Sequence, residues 1–235
     1  MPVETSLRDS ILLGTDNNLP VNALWAEERA RIKAMQEGDA PGVRAIVIIG
    51  GGDMFISGAD IRELGKRSQQ SHLPEVADAI ESCNRPVVAA IAGQARGGGL
   101  GVALARPGLP KVTLGLVPGA GGTQRLPRLI DQIAAASRIV SGRTVKSTEA
   151  LGISLIDKLA ISNNLLERAQ QFTALFAGSN CGARRLSENR PELSQCAEGL
   201  ERLSMAEALA VPERTHSRLG GRGRWDLSSQ ALLQT

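Results

Sequence analysis

Two glycine-rich segments, each directly after an apolar run, hold the residue types best suited to chemistry in this chain. The first is Phe55-Ile56-Ser57-Gly58-Ala59-Asp60-Ile61-Arg62-Glu63-Leu64, after Ala45-Ile46-Val47-Ile48-Ile49. The second is Gly93-Gln94-Ala95-Arg96-Gly97-Gly98-Gly99-Leu100-Gly101, after Val87-Val88-Ala89-Ala90-Ile91-Ala92. Each reads as strand, tight turn, helix start. The first turn of a helix carries backbone N–H groups with no intrahelical acceptor, and these form a ready anion site. Two such turns side by side aim two donors at one developing oxyanion.

Other candidate chemistries fit less well. Gly119-Ala120-Gly121-Gly122 lacks the Lys-Ser/Thr pair of a phosphate-binding loop. Gly97 and Gly99 are followed by Val102, where a dinucleotide fingerprint needs a third Gly or Ala. His72 and His216 stand far from any nucleophile motif and read as surface residues. Asp60 precedes a helix-like stretch and suits an N-terminal cap, and Glu63 reads as a solvated helix residue. Cys83, Cys181 and Cys196 match neither a metal pattern nor a disulfide framework, so a reducing cytoplasm is expected and no metal is.

The elements that must position the two loops follow from pattern and punctuation. Ser10 to Leu13 is a short strand candidate, with a turn at Asp16-Asn17-Asn18 and a helix-like stretch from about Trp25 to Gln36. Arg44 to Ile49 is apolar without alternation, as in a strand buried on both faces. Asp60 to Lys66 reads as a short helix. Val76, Ala79, Ile80 and Cys83 fall at helical spacing after Pro74, and Arg85-Pro86 ends that helix. Gly98 to Ala105 is expected as a helix, Val112 to Leu114 as a strand, and Asp131 to Val140 and Ser147 to Leu151 as helices. Strands alternating with helices imply an α/β fold.

The 235 residues suffice for one domain with a core, and 42% of them are apolar. Aromatic residues make up only 2%, so Val, Ile, Leu and Ala must build that core, and base stacking has little to use. A net charge of +3 does not imply a nucleic-acid partner. No apolar run reaches the roughly 20 residues of a membrane span. Met1 to Thr5 has neither a basic nor an apolar run, so secretion is not expected, and Leu233-Gln234-Thr235 does not match the Ser-Lys-Leu peroxisomal signal. From Gly182 to Arg224 the chain is rich in Arg, Ser and Glu and reads as largely disordered, with one amphipathic stretch through Leu193, Ala197, Leu200 and Leu203.

The two loops, with Gly115-Leu116-Val117-Pro118-Gly119-Ala120-Gly121-Gly122-Thr123-Gln124-Arg125-Leu126-Pro127-Arg128, strongly resemble the crotonase (enoyl-CoA hydratase/isomerase) family. The likeness is nearest to the hydratase/isomerase portion of bacterial multifunctional fatty-acid oxidation proteins. Leu19 to Leu24 looks like the family's Pro-Val-Asn-Ala-Leu segment, and Val140 to Arg143 and Glu149 to Asp157 continue the series in order. The resemblance covers residues 10–160 as an acyl-CoA domain and leaves 161–235 as a divergent, partly helical, partly disordered region. It implies a β-β-α superhelix with a C-terminal helical region, an acyl-CoA thioester ligand, a trimer-based homo-oligomer, and no cofactor beyond the coenzyme A of the substrate. By matching position, the oxyanion donors are the N–H groups of Ala59 and Gly98. Ala23, Gly58, Asp60, Ile61, Arg62, Gly97, Pro118 and Gly119 match the substrate-contacting positions, and Arg62 suits a phosphate of coenzyme A.

The departures concern the acid–base groups. Hydratases carry one glutamate two residues after the triple glycine and another after the proline that precedes the Gly-Ala-Gly-Gly loop. This chain has Gly101 and Lys111 there. Only Arg106-Pro107 separates Ala105 from Gly108, where the family has about a dozen more residues, enough for one strand and its turns. Arg96 replaces an apolar residue, and Ser154 stands where a helix-ending glycine is usual. Three readings stay open at this point: an enzyme of fatty-acid β-oxidation with reduced activity, an acyl-CoA-binding protein without turnover, and a decayed fragment of a multifunctional protein.

Overall fold

The structure, a computed structural model, describes residues 3–37, 41–60, 62, 72–105, 113–114, 121–160 and 164–178. Its frame is a four-stranded sheet in the order β1-β2-β4-β6, built from β1 (Val3–Arg8), β2 (Ile11–Asp16), β4 (Ala45–Gly50) and β6 (Val87–Ala90). β1 and β2 form an antiparallel hairpin. Its turn residues Asp9 and Ser10 both have positive φ, the backbone sense that matches strand twist in a two-residue hairpin. β4 pairs in parallel with β2 and with β6, Ile46 lying opposite Val87 and Ile49 opposite Ala90. The two apolar runs are thus neighbouring strands of one sheet.

Period-2 alternation divides these strands between two cores. Ile46, Ile48, Val87 and Ala89 face the larger core. It includes Ile32 and Met35 of α1 (Ala26–Glu37), Val76 and Ile80 of α2 (Leu73–Ser82), and Leu100 and Leu104 of α3 (Gly97–Leu104). Val47, Val88 and Ala90 face the other way, with Ile11 and Leu13, onto Leu165, Ala169 and Phe172 of α7 (Leu165–Gly178). Burial on both faces explains why β4 and β6 read as unbroken apolar runs. α7 lies beyond residue 160, the limit taken for the domain, and packs directly on its sheet.

Two small parallel ladders tie loops to this frame. β3 (Ala23–Leu24) pairs with β5 (Gly58–Ala59), and β7 (Gln94–Ala95) with β8 (Thr113–Leu114). The eight residues between Leu104 and Thr113 therefore suffice to return the chain beside β7. α4 (Gly122–Leu129), α5 (Gln132–Ser141) and α6 (Ser147–Gly152) close the larger core through Leu126, Ala135 and Ala150. Asp131 caps α5 by accepting the Ala134 N–H at 2.9 Å, and Gly142 ends it in the left-handed conformation.

Among the described residues the expected elements occur with two differences; the amphipathic stretch through Leu193, Ala197, Leu200 and Leu203 and the disordered reading of 182–224 lie outside them. Asp16 closes β2 rather than opening a turn, because its backbone continues both ladders, opposite Val3 and Gly50. The hairpin strand β1 was not foreseen: all its residues but Val3 are exposed, so it lacks an apolar pattern. The helix expected over 60–66 lies outside the described residues except for Asp60 and Arg62. Ser154 has φ 57°, a left-handed backbone that costs a non-glycine residue roughly 1–2 kcal/mol. Ser154→Gly is expected to raise stability by about 0.5–1 kcal/mol once the greater freedom of the unfolded glycine is subtracted. Thermal unfolding of the two proteins side by side checks this; an unchanged or lowered midpoint contradicts it.

Candidate functional site

The first loop is held by the turn that ends in Asn22. Asn22 is fully buried, with φ 48°, a conformation its short amide side chain tolerates. Its Nδ2 donates to the carbonyls of Gly51 (2.9 Å) and Met54 (2.7 Å), fixing the segment that leads into Phe55. The Asn22 carbonyl accepts the Ser57 N–H, and the Leu24 carbonyl accepts the Asp60 N–H. Arg29, itself buried, donates to the same Leu24 carbonyl at 2.7 Å. Phe55 and Ile56 are fully buried beneath the loop, each worth about 1.5–3 kcal/mol.

The second loop is laced to the first. The Phe55 N–H donates to the Gln94 carbonyl at 3.1 Å, and the Arg96 N–H to the Ile56 carbonyl at 3.3 Å. α3 then opens against the first loop with no room for side chains. A Cβ on Gly58, whose φ is +117°, would stand 2.8 Å from the Gly98 nitrogen. A Cβ on Gly99 would overlap the Ile56 carbonyl oxygen, and one on Gly98 would overlap Leu73 Cδ1. Gly98 is the second residue of α3, a position whose N–H has no intrahelical acceptor. Ala59 follows Gly58 directly in β5, so the two N–H groups expected to act as donors, those of Ala59 and Gly98, belong to loops that meet at Gly58.

Three residues after Gly98 comes Gly101, on the same face of α3 and buried. A side chain at 101 would lean back toward the helix N-terminus, hence toward Gly98. Glycine offers no proton-transferring group there. Gly97 has φ +49° and directly precedes Gly98, and Ala23 lies buried in β3, its carbonyl accepting Asn18 Nδ2 at 2.5 Å. Ile61, Lys111, Pro118 and Gly119 lie outside the described residues.

Asp60 and Arg62 form one unit. Asp60 is buried and accepts Arg62 Nη2 at 2.7 Å, Nε at 2.9 Å and the Arg62 backbone N–H at 2.8 Å. The carboxylate thus caps the chain two residues on, as expected, and also binds the guanidinium. Arg62 stacks on Trp25, 4.6 Å from the ring centroid, and stays 65% exposed. Its side-chain hydrogen bonds to Asp60 hold the guanidinium above its ordinary pKa. A phosphate approaching Arg62 would meet a cation already matched by Asp60.

Beside the junction a cleft of about 240 Å³ separates α2 from α4, lined by Pro74, Asp78, Glu81, Gly121, Gln124, Arg125 and Arg128. Arg125 is buried and donates to Asp78 at 2.7 Å and Glu81 at 3.2 Å, clamping the two helices. Neither this clamp nor the burial of Asp16, Glu28 and Arg29 was legible in the sequence. The partners of Arg125 are 47 and 44 residues away and leave no local motif, whereas Glu28 accepts the Trp25 N–H three residues back, a capping contact that its spacing could have signalled. Among the described residues no cluster of His, Cys, Asp or Glu fits a metal ion, and no helix is long and apolar enough to cross a membrane.

A profile of the Enoyl-CoA hydratase/isomerase family matches residues 15–189, a span that contains both donor loops. The chain belongs to the enoyl-CoA hydratase/isomerase family. Within this crotonase-fold family it is similar to a peroxisomal bifunctional enzyme of Danio rerio, 40% identical over 220 residues, covering 88% of the chain and 30% of the relative. It is also similar to a probable enoyl-CoA hydratase of Bacillus subtilis, 38% identical over 184 residues, with 69% of the chain and 71% of the relative covered. The chain spans about 30% of the length of its bifunctional relatives. Among solved structures, a probable enoyl-CoA hydratase/isomerase from Mycobacterium abscessus superposes with a TM-score of 0.66 at 30% identity, covering 77% of each chain. A carnitinyl-CoA hydratase from Mycobacterium avium shares the fold with a TM-score of 0.69 at 22% identity, over 92% of this chain and 96% of that one. These relatives place the chain in the hydratase lineage of the family.

Proposed function

We propose that the chain binds an acyl-CoA thioester, polarises its carbonyl with the N–H groups of Ala59 and Gly98, and hydrates a 2-enoyl-CoA slowly or not at all. The observation that supports this reading is the close approach of the two loop backbones, so tight that a Cβ added at Gly58 would stand 2.8 Å from the Gly98 nitrogen. Fixed backbone dipoles at such a junction need no reorganisation as charge develops on the thioester oxygen. The ligand brings its own coenzyme A, so no separate cofactor is required. The slow step follows from the positions that match the family's glutamates, Gly101 and Lys111. Hydration needs a base to activate water and an acid to protonate the α-carbon. Gly101 does neither, and Lys111 serves only if burial lowers its pKa markedly. The reading carries with it a trimer-based homo-oligomer in the cytoplasm, to be measured by light scattering and fractionation.

Calorimetric titration with crotonyl-CoA and with free coenzyme A tests the binding. Saturable binding that is tighter for the thioester is expected, with no heat of continuing turnover. Equal affinity for the two ligands would mean that the carbonyl is not recognised.

A further inference from the structure

We infer that Asp16 is a positioning residue for the first donor loop: its carboxyl is neutral when the 16–24 segment is seated, and its ionisation loosens β3 and with it the Gly58–Ala59 strand. Asp16 ends β2 at 1% exposure, and neither carboxyl oxygen has a hydrogen-bond partner among the described residues. A buried carboxylate with no donor is costly in its charged form, far more than a neutral carboxyl. Opposite it on α1 stands Glu28, 2% exposed, whose Oε2 accepts the Trp25 N–H at 2.6 Å. Burial first, and the Glu28 charge second, push the Asp16 carboxyl up to about 7; the Asn18 backbone N–H, near the carboxyl but not aligned for a hydrogen bond, pulls the other way.

The other charged groups around the turn are committed elsewhere. Arg29 of α1 donates to the Leu24 carbonyl. Arg31, on the same helix, donates to the Val3 carbonyl, on the residue opposite Asp16 in β1. Asp53 follows β4 in the loop toward Met54 and is exposed.

The route from Asp16 to the donor is short and made of backbone. The Asp16 carbonyl accepts the Gly51 N–H at 2.6 Å. Gly51 and Met54 carry the carbonyls that Asn22 holds. The Asn22 N–H donates to the Asn18 carbonyl, and Asn18 Nδ2 to the Ala23 carbonyl. Ala23 and Leu24 then pair with Gly58 and Ala59. A charge forced on Asp16 is relieved by letting water into this turn, which is the support of β3.

The sign is set by comparing the two states. Seated, Asp16 titrates near 7; released to water, it titrates near the ordinary 3.8. Between those values the seated state holds the proton that the open state has lost, so seating weakens as pH rises from about 4 to about 7. Above that it changes no further. The limit is about tenfold per pH unit within the window.

Amide hydrogen exchange on the ligand-free protein tests this, with rates corrected for intrinsic chemistry. The reporters are Ser57 and Asp60, whose N–H groups bond the Asn22 and Leu24 carbonyls. Ala135, bonded within α5, is the remote control. From about pH 5 to pH 7 the protection of Ser57 and Asp60 is expected to fall by about tenfold or more and then level, with Ala135 unchanged. In Asp16→Asn the two reporters are expected to hold constant protection over the same range. Parallel profiles in wild type and variant, or an equal fall at Ala135, would overturn the inference.

A second arm measures crotonyl-CoA affinity over the same pH range in both proteins. The functional role rests on the acyl-CoA reading proposed above, and affinity is expected to follow the reporters in wild type only. Reporters that respond while affinity does not would remove that role. Absence of acyl-CoA binding at every pH would refute the acyl-CoA reading, and the exchange profiles would still decide whether Asp16 holds the loop.

Discussion

Gly58→Ala is expected to weaken acyl-CoA binding by about 100-fold and to destabilise the fold by about 3 kcal/mol. Two independent costs act at this position. Its φ of +117° is a conformation that an L side chain rarely adopts, and the new methyl would press on the Gly98 nitrogen. The obstacle is backbone at the start of a buried helix, so it cannot rotate aside. Relief requires the two loops to part, which separates the Ala59 and Gly98 donors. Gly152→Ala is the control: nothing lies within 4 Å of the added Cβ, and the residue is helical, so a stability gain of about 0.5–1 kcal/mol is expected. Calorimetric titration and thermal unfolding of both variants check the pair. Wild-type affinity in Gly58→Ala would mean that the junction of the loops is not where the thioester binds.

The second large effect concerns turnover. Wild-type hydration of a 2-enoyl-CoA is expected to run about 10⁴-fold or more below ordinary enzyme rates of about 1–10³ s⁻¹. Each positioned acid or base is worth about 10²–10⁴-fold, and one oxyanion donor about 10²–10³-fold. A surviving hole therefore cannot make up for both carboxylates, although such terms do not simply add. The Gly101→Glu/Lys111→Glu variant is expected to bind acyl-CoA and to recover only part of the missing rate. Position 101 shares the Gly98 face of α3, so its new carboxylate is well placed. The second carboxylate depends on the short return between Leu104 and Thr113, and a misplacement of about 1 Å costs about 10²-fold. Steady-state assay of both proteins decides. Ordinary rates in wild type would show that another base acts, and full activity in the double variant would show that the shortened return is harmless.

What could be read in the sequence was what local chemistry dictates. β4 and β6 are unbroken Val and Ile runs because both faces are buried, and that pattern has few other causes. The glycines of the two loops were legible because each answers a local need, whether positive φ or a backbone approach. Ser154 was legible as a strained helix end for the same reason. β1 was not, since VETSLR is exposed at all but its first residue and is held mainly by its hairpin partner. α7 carries a clear i, i+4, i+7 stripe in Leu165, Ala169 and Phe172, but it falls beyond the last recognised motif.

The charged residues show where sequence reading stops. Asp16-Asn17-Asn18 has the composition of a turn, yet Asp16 is buried by the packing of α1, ten or more residues away. Arg125 is buried because Asp78 and Glu81 meet it from another helix, 47 and 44 residues distant. Asp60 and Arg62 were each assigned a separate role, cap and phosphate contact. The fold instead gives Asp60 two roles, capping and binding Arg62, and adds Trp25 beneath the arginine. For Asp16, Arg125 and the Trp25 beneath Arg62, the partner is set by tertiary packing and leaves no periodic trace.

The most direct measurement is the ¹³C spectrum of crotonyl-CoA labelled at the thioester carbonyl, recorded with excess protein over several hours. Engagement of the carbonyl by the Ala59 and Gly98 N–H groups would move its resonance downfield, and the shifted signal would persist without a growing 3-hydroxybutyryl resonance. A bound ligand whose carbonyl resonance stays at its free position, or prompt appearance of the hydrated product, would contradict an oxyanion hole that survives without its acid–base pair.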